Sequence, residues 1–176
     1  MQSENLPEIV INNFEYYYNL AKNGKTGIIR ESEIDPVEAL INSEDITKSS
    51  EQIGQANIHK TAVIKLNGGL GTGMGLEKAK SLLKVKDNLS FLDIVARQAK
   101  NTNVPLILMN SYSTQNDSLE KLADFEQSNS NIPLAFLQHK VPKICQHDFS
   151  PVSWPGNPKL ERCPPGHGDL FLALLT

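Results

Sequence analysis

An apolar run, Thr61-Ala62-Val63-Ile64-Lys65-Leu66, empties almost directly into Gly68-Gly69-Leu70-Gly71-Thr72-Gly73-Met74-Gly75. Five of the chain's 11 glycines fall in those eight positions. Glycine lets the backbone turn sharply and lets several N–H groups converge on one anion with no Cβ in the way. In open α/β sheets the ligand crevice lies at the carboxyl ends of the strands, where such a loop sits. The pattern predicts an α/β domain that holds a phosphate-bearing ligand at a strand–loop junction.

The spacing excludes the two commonest phosphate loops. G-x-G-x-x-G does not fit Gly68-Gly69-Leu70-Gly71, and no Gly-Lys-Ser/Thr follows as a Walker A loop requires. Lys80-Ser81 comes only after Glu77-Lys78-Ala79. The predicted loop is therefore long, flexible in its backbone, and carries lysines at 78, 80 and 84. Lysine is a mobile point charge suited to phosphate oxygens. The alternative is a tight packing turn with solvated lysines.

Two further features fall at predicted strand or loop ends. In Pro164-Pro165-Gly166-His167-Gly168-Asp169, glycines on both sides expose the histidine, and Gly168-Asp169 stands at a predicted helix N-terminus. The plainer alternative makes Asp169 a helix cap and His167 a loop residue. In Gln138-His139-Lys140, a strand-end amide offers a donor and an acceptor to the edge of a base. One crevice can hold all three features.

Around them the pattern alternates. Residues 8–22 read as an amphipathic helix with Val10, Phe14, Tyr17, Tyr18 and Ala21 on one core-packing face and Gly24 as its stop. Asp35-Pro36-Val37-Glu38 carries the cap and first-turn proline of a short second helix. Residues 43–57 are polar and aperiodic and read as a linker. This divides the chain into an N-terminal helical segment and linker, 1–55, and an organised domain, 56–176. In that domain strands are predicted at 62–67, 104–109 and 134–138. One helix is predicted from Ser90, with Leu92, Val95, Ala96 and Ala99 on one face and a Ser90/Asp93 capping box. Another follows Thr114, with Leu119, Leu122 and Ala123 inward. Strands separated by helices of this length form a parallel sheet. Residues 141–165 read as a long proline-rich loop, and a last helix starts at Gly168-Asp169.

Bulk properties narrow the partners. The 176 residues suffice for one domain with a real core. A net charge of −3 argues against nucleic acid as a partner. No run reaches membrane-span length, and Met1-Gln2-Ser3-Glu4 does not begin a signal pattern, so a membrane is excluded as a partner too. Cys145 and Cys163 lie far apart and form no metal-type pair. Two reduced thiols fit a cytoplasmic protein.

Leu66-Asn67-Gly68-Gly69-Leu70-Gly71-Thr72-Gly73-Met74-Gly75 followed by Lys80-Ser81-Leu82-Leu83 resembles the nucleotide loop of the UTP–glucose-1-phosphate uridylyltransferases (UDP-glucose pyrophosphorylases). Thr26-Gly27-Ile28-Ile29, Glu33-Ile34-Asp35-Pro36-Val37, Pro105–Ser111, Phe136-Leu137-Gln138, Ser153-Trp154-Pro155 and Cys163–Asp169 match that family in order. Wider nucleotidyltransferases usually have Arg where this chain has Gly73.

The resemblance implies a Rossmann-like nucleotidyltransferase domain with a mostly parallel sheet. It implies nucleotide contacts from Leu66, Asn67, Gly68, Gly69, Gly71, Thr72, Gly73, Met74, Lys80, Gln138 and Gly166. Gln138 and Gly166 would meet the uracil, and Lys80, the catalytic residue, the phosphates. His167 would lie near the phosphate of glucose 1-phosphate. UTP and UDP-glucose are the implied nucleotides and Mg²⁺ the implied cofactor, with no protein metal ligand assigned. The match stops just past Gly168-Asp169, before the aspartate with which the family holds its metal. The expectation is an N-terminal, truncated portion of the family fold, with sheet order third, second, first strand and the first strand at an open edge. Two alternatives stand beside it: a non-catalytic uridine-nucleotide-binding module, and a UDP-N-acetylhexosamine pyrophosphorylase, which Leu66-Asn67 and Gly73-Met74 disfavour.

Overall fold

In the computed structural model, which describes residues 1–129 and 131–176, the chain opens on helix α1 (Glu8–Lys22). Its inward stripe runs Val10, Phe14, Tyr18, Ala21, steps that keep to one helical face. Tyr17 falls off that stripe and is 60% exposed, so only one of the two tyrosines expected on the packing face lies there. Tyr18 is held at long range: its ring meets Phe149 edge-on and its hydroxyl donates to the Phe149 carbonyl at 3.3 Å.

From Lys25 to Thr47 the backbone has no regular structure apart from single turns at Glu31–Glu33 and Ser43–Asp45. The helix predicted at Asp35–Glu38 does not form. Val37, Leu40 and Ile41 face solvent there, and a one-turn helix with nothing to pack on does not recover its nucleation cost. The predicted linker at 43–57 instead contains helix α2 (Lys48–Asn57). The Thr47 hydroxyl caps it by accepting from the Ser50 N–H at 3.2 Å, and Gln55 donates to Glu51 one turn back. No residue of α2 is buried, so it lacks the apolar period by which a helix is read from sequence.

Strand β1 (Val63–Asn67) runs into the glycine loop, which is followed by a two-stranded ribbon of β2 (Lys84–Lys86) and β3 (Leu89–Ser90). Asp87 and Asn88 turn this ribbon, both with positive φ, as hairpin turns demand. Helix α3 (Phe91–Thr102) starts with the predicted capping box: Ser90 Oγ accepts from the Asp93 N–H at 3.2 Å, and Asp93 accepts from the Ser90 N–H at 2.8 Å. Strand β4 (Leu106–Asn110), helix α4 (Gln115–Lys121) and strand β5 (Ala135–Leu137) follow. The inward stripe of this helix and its flanks is Thr114, Ser118 and Leu122, while Leu119 and Ala123 face out. A hydrogen bond to Asn67 draws the polar Ser118 inward and turns the helix away from the expected face.

The segment 141–165 is more than a loop. Strands β6 (Val141–Pro142) and β7 (Arg162–Cys163) pair antiparallel and close it at its base. Helix α5 (Asp169–Ala173) ends the described elements.

The main sheet has the order β5-β4-β1, all parallel, with β1 at one edge among the described residues. This is the α/β arrangement that the sequence predicts, in the strand order that the resemblance implies. Its core joins Leu92, Ala96 and Ala99 of α3 to Leu106 and Leu108 of β4 and to Leu122 after α4. Each such leucine contributes about 1.5–3 kcal/mol through burial. The packed helix and central strand form the platform from which the carboxyl ends of β1, β4 and β5 project.

Candidate functional site

The carboxyl end of the sheet is built on two asparagines in register. Asn67 ends β1 opposite Asn110, which ends β4. Both side chains are buried. Asn67 Nδ2 donates to Asn110 Oδ1 at 2.7 Å and to Ser118 Oγ at 2.8 Å, and its Oδ1 accepts from Lys65 Nζ at 3.3 Å. Asn110 Nδ2 donates to Gln115 Oε1 at 2.7 Å, and Ser118 Oγ to the Thr114 carbonyl at 2.7 Å. Burial of polar atoms is tolerable here because each has a partner. The Asn67 side chain is thus committed to the scaffold, and only its backbone faces the loop. Burial pushes the pKa of Lys65 below the usual lysine value.

Gln138 follows β5. Its N–H donates to the Asn110 carbonyl at 2.8 Å, which continues the ladder one residue past the strand. Its side-chain amide lies against Gly68: a β-carbon on Gly68 would collide with Nε2 and stand 2.9 Å from Cδ. The absence of a side chain at 68 is what lets the amide sit over the first turn of the loop.

The glycine loop is less free than its composition predicts. Leu70 pairs antiparallel with Ala79, and the Lys80 N–H donates to the Gly69 carbonyl at 3.0 Å. Gly71 is a packing glycine, since a β-carbon there would stand 2.7 Å from Leu76 Cβ. At this position the packing-turn alternative holds. Thr72, Gly73 and Met74 form one exposed turn. Gly69 and Gly73 have open space on the side where a β-carbon would project. The loop is thus a closed flap. Lys80, exposed, is stitched to its base next to Gly68 and Gly69.

The Gly166–Asp169 turn joins the same end of the sheet through one carboxylate. Asp169 is buried, and Oδ2 accepts from the His139 N–H at 2.6 Å while Oδ1 meets His139 Nδ1 at 2.9 Å. The plain-cap alternative for Asp169 does not describe this, because the side chain reaches across to β5's extension instead of its own helix. Gly166 has φ +117°, which L side chains rarely adopt. His167 is exposed one residue later.

The predicted residues therefore assemble in part. Leu66, Asn67, Gly68, Gly69, Lys80 and Gln138 are tied together by strand pairing, direct contact or loop hydrogen bonds. Among the described residues, Gly166 and His167 join them by a side-chain hydrogen bond through Asp169. Sequence reasoning missed Gln115, Ser118 and the Asn67–Asn110 pair. The legible signal was an asparagine at the end of one predicted strand and another just past the end of the next.

The two cysteines are unbridged and half-buried. Among the described residues, no three His, Cys, Asp or Glu side chains converge as metal ligands, and no helix is long and apolar enough to cross a membrane. An open groove lined by His59, Lys60, Asn103 and Pro105 lies at the amino ends of β1 and β4, away from the glycine loop.

Residues 11–176 match the family model described as UTP–glucose-1-phosphate uridylyltransferase. The chain is 40% identical over 126 residues to the enzyme of that name from Solanum tuberosum, covering 68% of this chain and 26% of that protein. It is 37% identical over 150 residues to UTP–glucose-1-phosphate uridylyltransferase 2 of Dictyostelium discoideum, covering 79% of this chain and 29% of that protein. Among solved structures, a Leishmania major UDP-glucose pyrophosphorylase variant in complex with UDP-glucose superposes with TM-score 0.87 at 36% identity, covering 99% of this chain and 37% of that one. The chain spans about a quarter of the length of the curated relatives it matches.

Proposed function

Because the chain belongs to the UTP–glucose-1-phosphate uridylyltransferase family, we propose that it carries the uridine-nucleotide half of the site for UDP-glucose synthesis from UTP and glucose 1-phosphate. The observation that carries this reading is the Gln138 amide seated on Gly68 at the carboxyl end of the sheet. An amide there offers a uracil edge one donor and one acceptor. The backbone of Leu66, Gly68 and Gly69 and the edge of Gly166 flank the base in this reading. Gly71 shapes the flap, Thr72, Gly73 and Met74 cover the ligand, and Asn67 holds the strand end in place.

In the reaction, a phosphate oxygen of glucose 1-phosphate attacks the α-phosphorus of UTP, the bond from that phosphorus to the bridging oxygen breaks, and pyrophosphate leaves. Charge grows on the equatorial and leaving oxygens. Lys80 and loop N–H groups stabilise it by position, because they need no reorganisation as the charge develops. His167 faces the sugar phosphate. Magnesium is the cofactor that the family implies. The described residues do not form a cage for it, and Asp169 is spent on His139, so no step is assigned to the ion here.

The same observation favours a second reading, a uridine-nucleotide-binding module without turnover. A cytoplasmic site of action is part of both, supported by two unbridged cysteines. Titration with UTP, UDP-glucose, CTP and ATP tests the common part. Uridine nucleotides are expected to bind at least about tenfold more tightly than the others, because a mismatched base leaves the buried amide unpaired. Equal binding of all four would refute it. Formation of UDP-glucose from UTP and glucose 1-phosphate separates the two readings.

A further inference from the structure

We propose that Asp169 is a positioning residue that sets the Gln138 amide for base recognition and locks the Gly166–Gly168 turn to it. The proposal rests on the uridine-nucleotide reading above. Gln138 is held from both sides. Its own N–H is fixed by the Asn110 carbonyl, and the next N–H, that of His139, is fixed by Asp169 Oδ2 at 2.6 Å. Between two pinned peptide groups the Gln138 backbone has little freedom, and its side chain is delivered onto Gly68.

The second carboxylate oxygen faces His139 Nδ1 at 2.9 Å. An ionised carboxylate only accepts, so Nδ1 carries a proton. On the far side of the ring, Nε2 lies 3.2 Å from Thr176 Oγ1, and the imidazole is fixed at both nitrogens. Asp169 is itself anchored to the turn, since its N–H donates to the Gly166 carbonyl at 3.2 Å. One buried carboxylate therefore joins the base-reading strand end to the turn that exposes His167. Burial of an isolated charge here would be costly, and two N–H donors on two different oxygens make it tolerable. No other pair of side chains spans these two segments by a hydrogen bond among the described residues.

The test compares the parent chain with Asp169→Asn, Asp169→Glu, Gln138→Ala and the Gln138→Ala/Asp169→Asn double variant. Asparagine keeps an acceptor for the His139 N–H but sets an NH₂ against Nδ1, so the ring contact survives only through a change of tautomer, and the charge that strengthens both bonds is gone. NMR of the His139 amide and imidazole and of the Gln138 side-chain NH₂ reports the geometry without any ligand. Titrations with UTP and CTP report base discrimination. Asp169→Asn is expected to shift all three signals and to cut the UTP/CTP affinity ratio about tenfold, with partial recovery in Asp169→Glu. In the Gln138→Ala background the same change is expected to leave that ratio within about twofold, because the two residues act as a unit. A merely structural role would weaken both nucleotides alike in both backgrounds, and that outcome would overturn the proposal. So would unshifted Gln138 and His139 signals in a folded Asp169→Asn chain. If the parent binds neither nucleotide, the functional reading falls by itself, and the NMR comparison still decides whether Asp169 places the amide.

Discussion

The Gln138 side-chain amide fills the space in which a β-carbon on Gly68 would lie. Gly68→Ala therefore evicts the amide. UTP affinity is expected to drop about tenfold or more, as a lost hydrogen bond to a buried base edge implies. Gly73→Ala is the control for the fold: nothing lies within 4 Å of the added carbon, so the unfolding free energy should stay within about 0.5 kcal/mol. Calorimetric titration and thermal melts read both. A Gly68→Ala chain that binds UTP like its parent would remove Gln138 from the base site.

Lys80→Ala deletes the charge stitched to the base of the flap. The backbone bond to Gly69 survives, so the loop should keep its shape. The expected loss is about 1.5–3 kcal/mol in UTP affinity, the range for a charge-assisted hydrogen bond. Binding of uridine, which lacks the phosphates, should be unchanged. Equal losses for UTP and uridine would mean that Lys80 acts on the fold instead of on phosphate.

Asn67→Ala strips partners from Asn110 Oδ1 and Ser118 Oγ at once. Unpaired buried acceptors cost about 1–3 kcal/mol, and urea denaturation should show a loss of that size. An unchanged midpoint would show that the network contributes nothing net.

Asp93 gives the helix cap a pH dependence. Burial alone raises its pKa, but hydrogen bonds from the Ser90 N–H and hydroxyl, with Lys121 at 3.0 Å, outweigh it and hold the carboxyl below its usual value. The folded state thus binds this proton less readily than the unfolded chain does. The stabilisation is present above the unfolded pKa and fades as pH falls through the folded one. Asp93→Asn should cost about 1 kcal/mol at neutral pH, the typical size of a cap, and the gap should close in acid. A gap that persists at low pH would assign the effect to shape alone.

What was legible in the sequence follows from burial. The three strands and α3 show as apolar features that repeat along the chain, the capping box as a local polar motif, and the strand order through the family resemblance. The exposed elements broke that rule in both directions. Helix α2 forms on its caps and local pairs with no apolar face, while Asp35–Glu38 carries helix-start residues and stays irregular. In α4 the inward position went to Ser118 ahead of Leu119, because a buried asparagine on a distant strand needed a partner. Such a need exists only in three dimensions. The same holds for Asp169, whose role as a bridge depends on His139, 30 residues away.

The pairing of Asn67 with Asn110 also fixes where the base of the glycine flap sits. If β1 slid by one residue along β4, Leu66 or Gly68 would face Asn110, and both amides would be stranded in the core. A one-residue slip would also carry each strand's side chains to the opposite face, so the amides add to a register that burial already specifies. The two amides act as an index mark. They tie the loop's first turn to the sheet with single-residue accuracy, so Gly68 stays in register with Gln138.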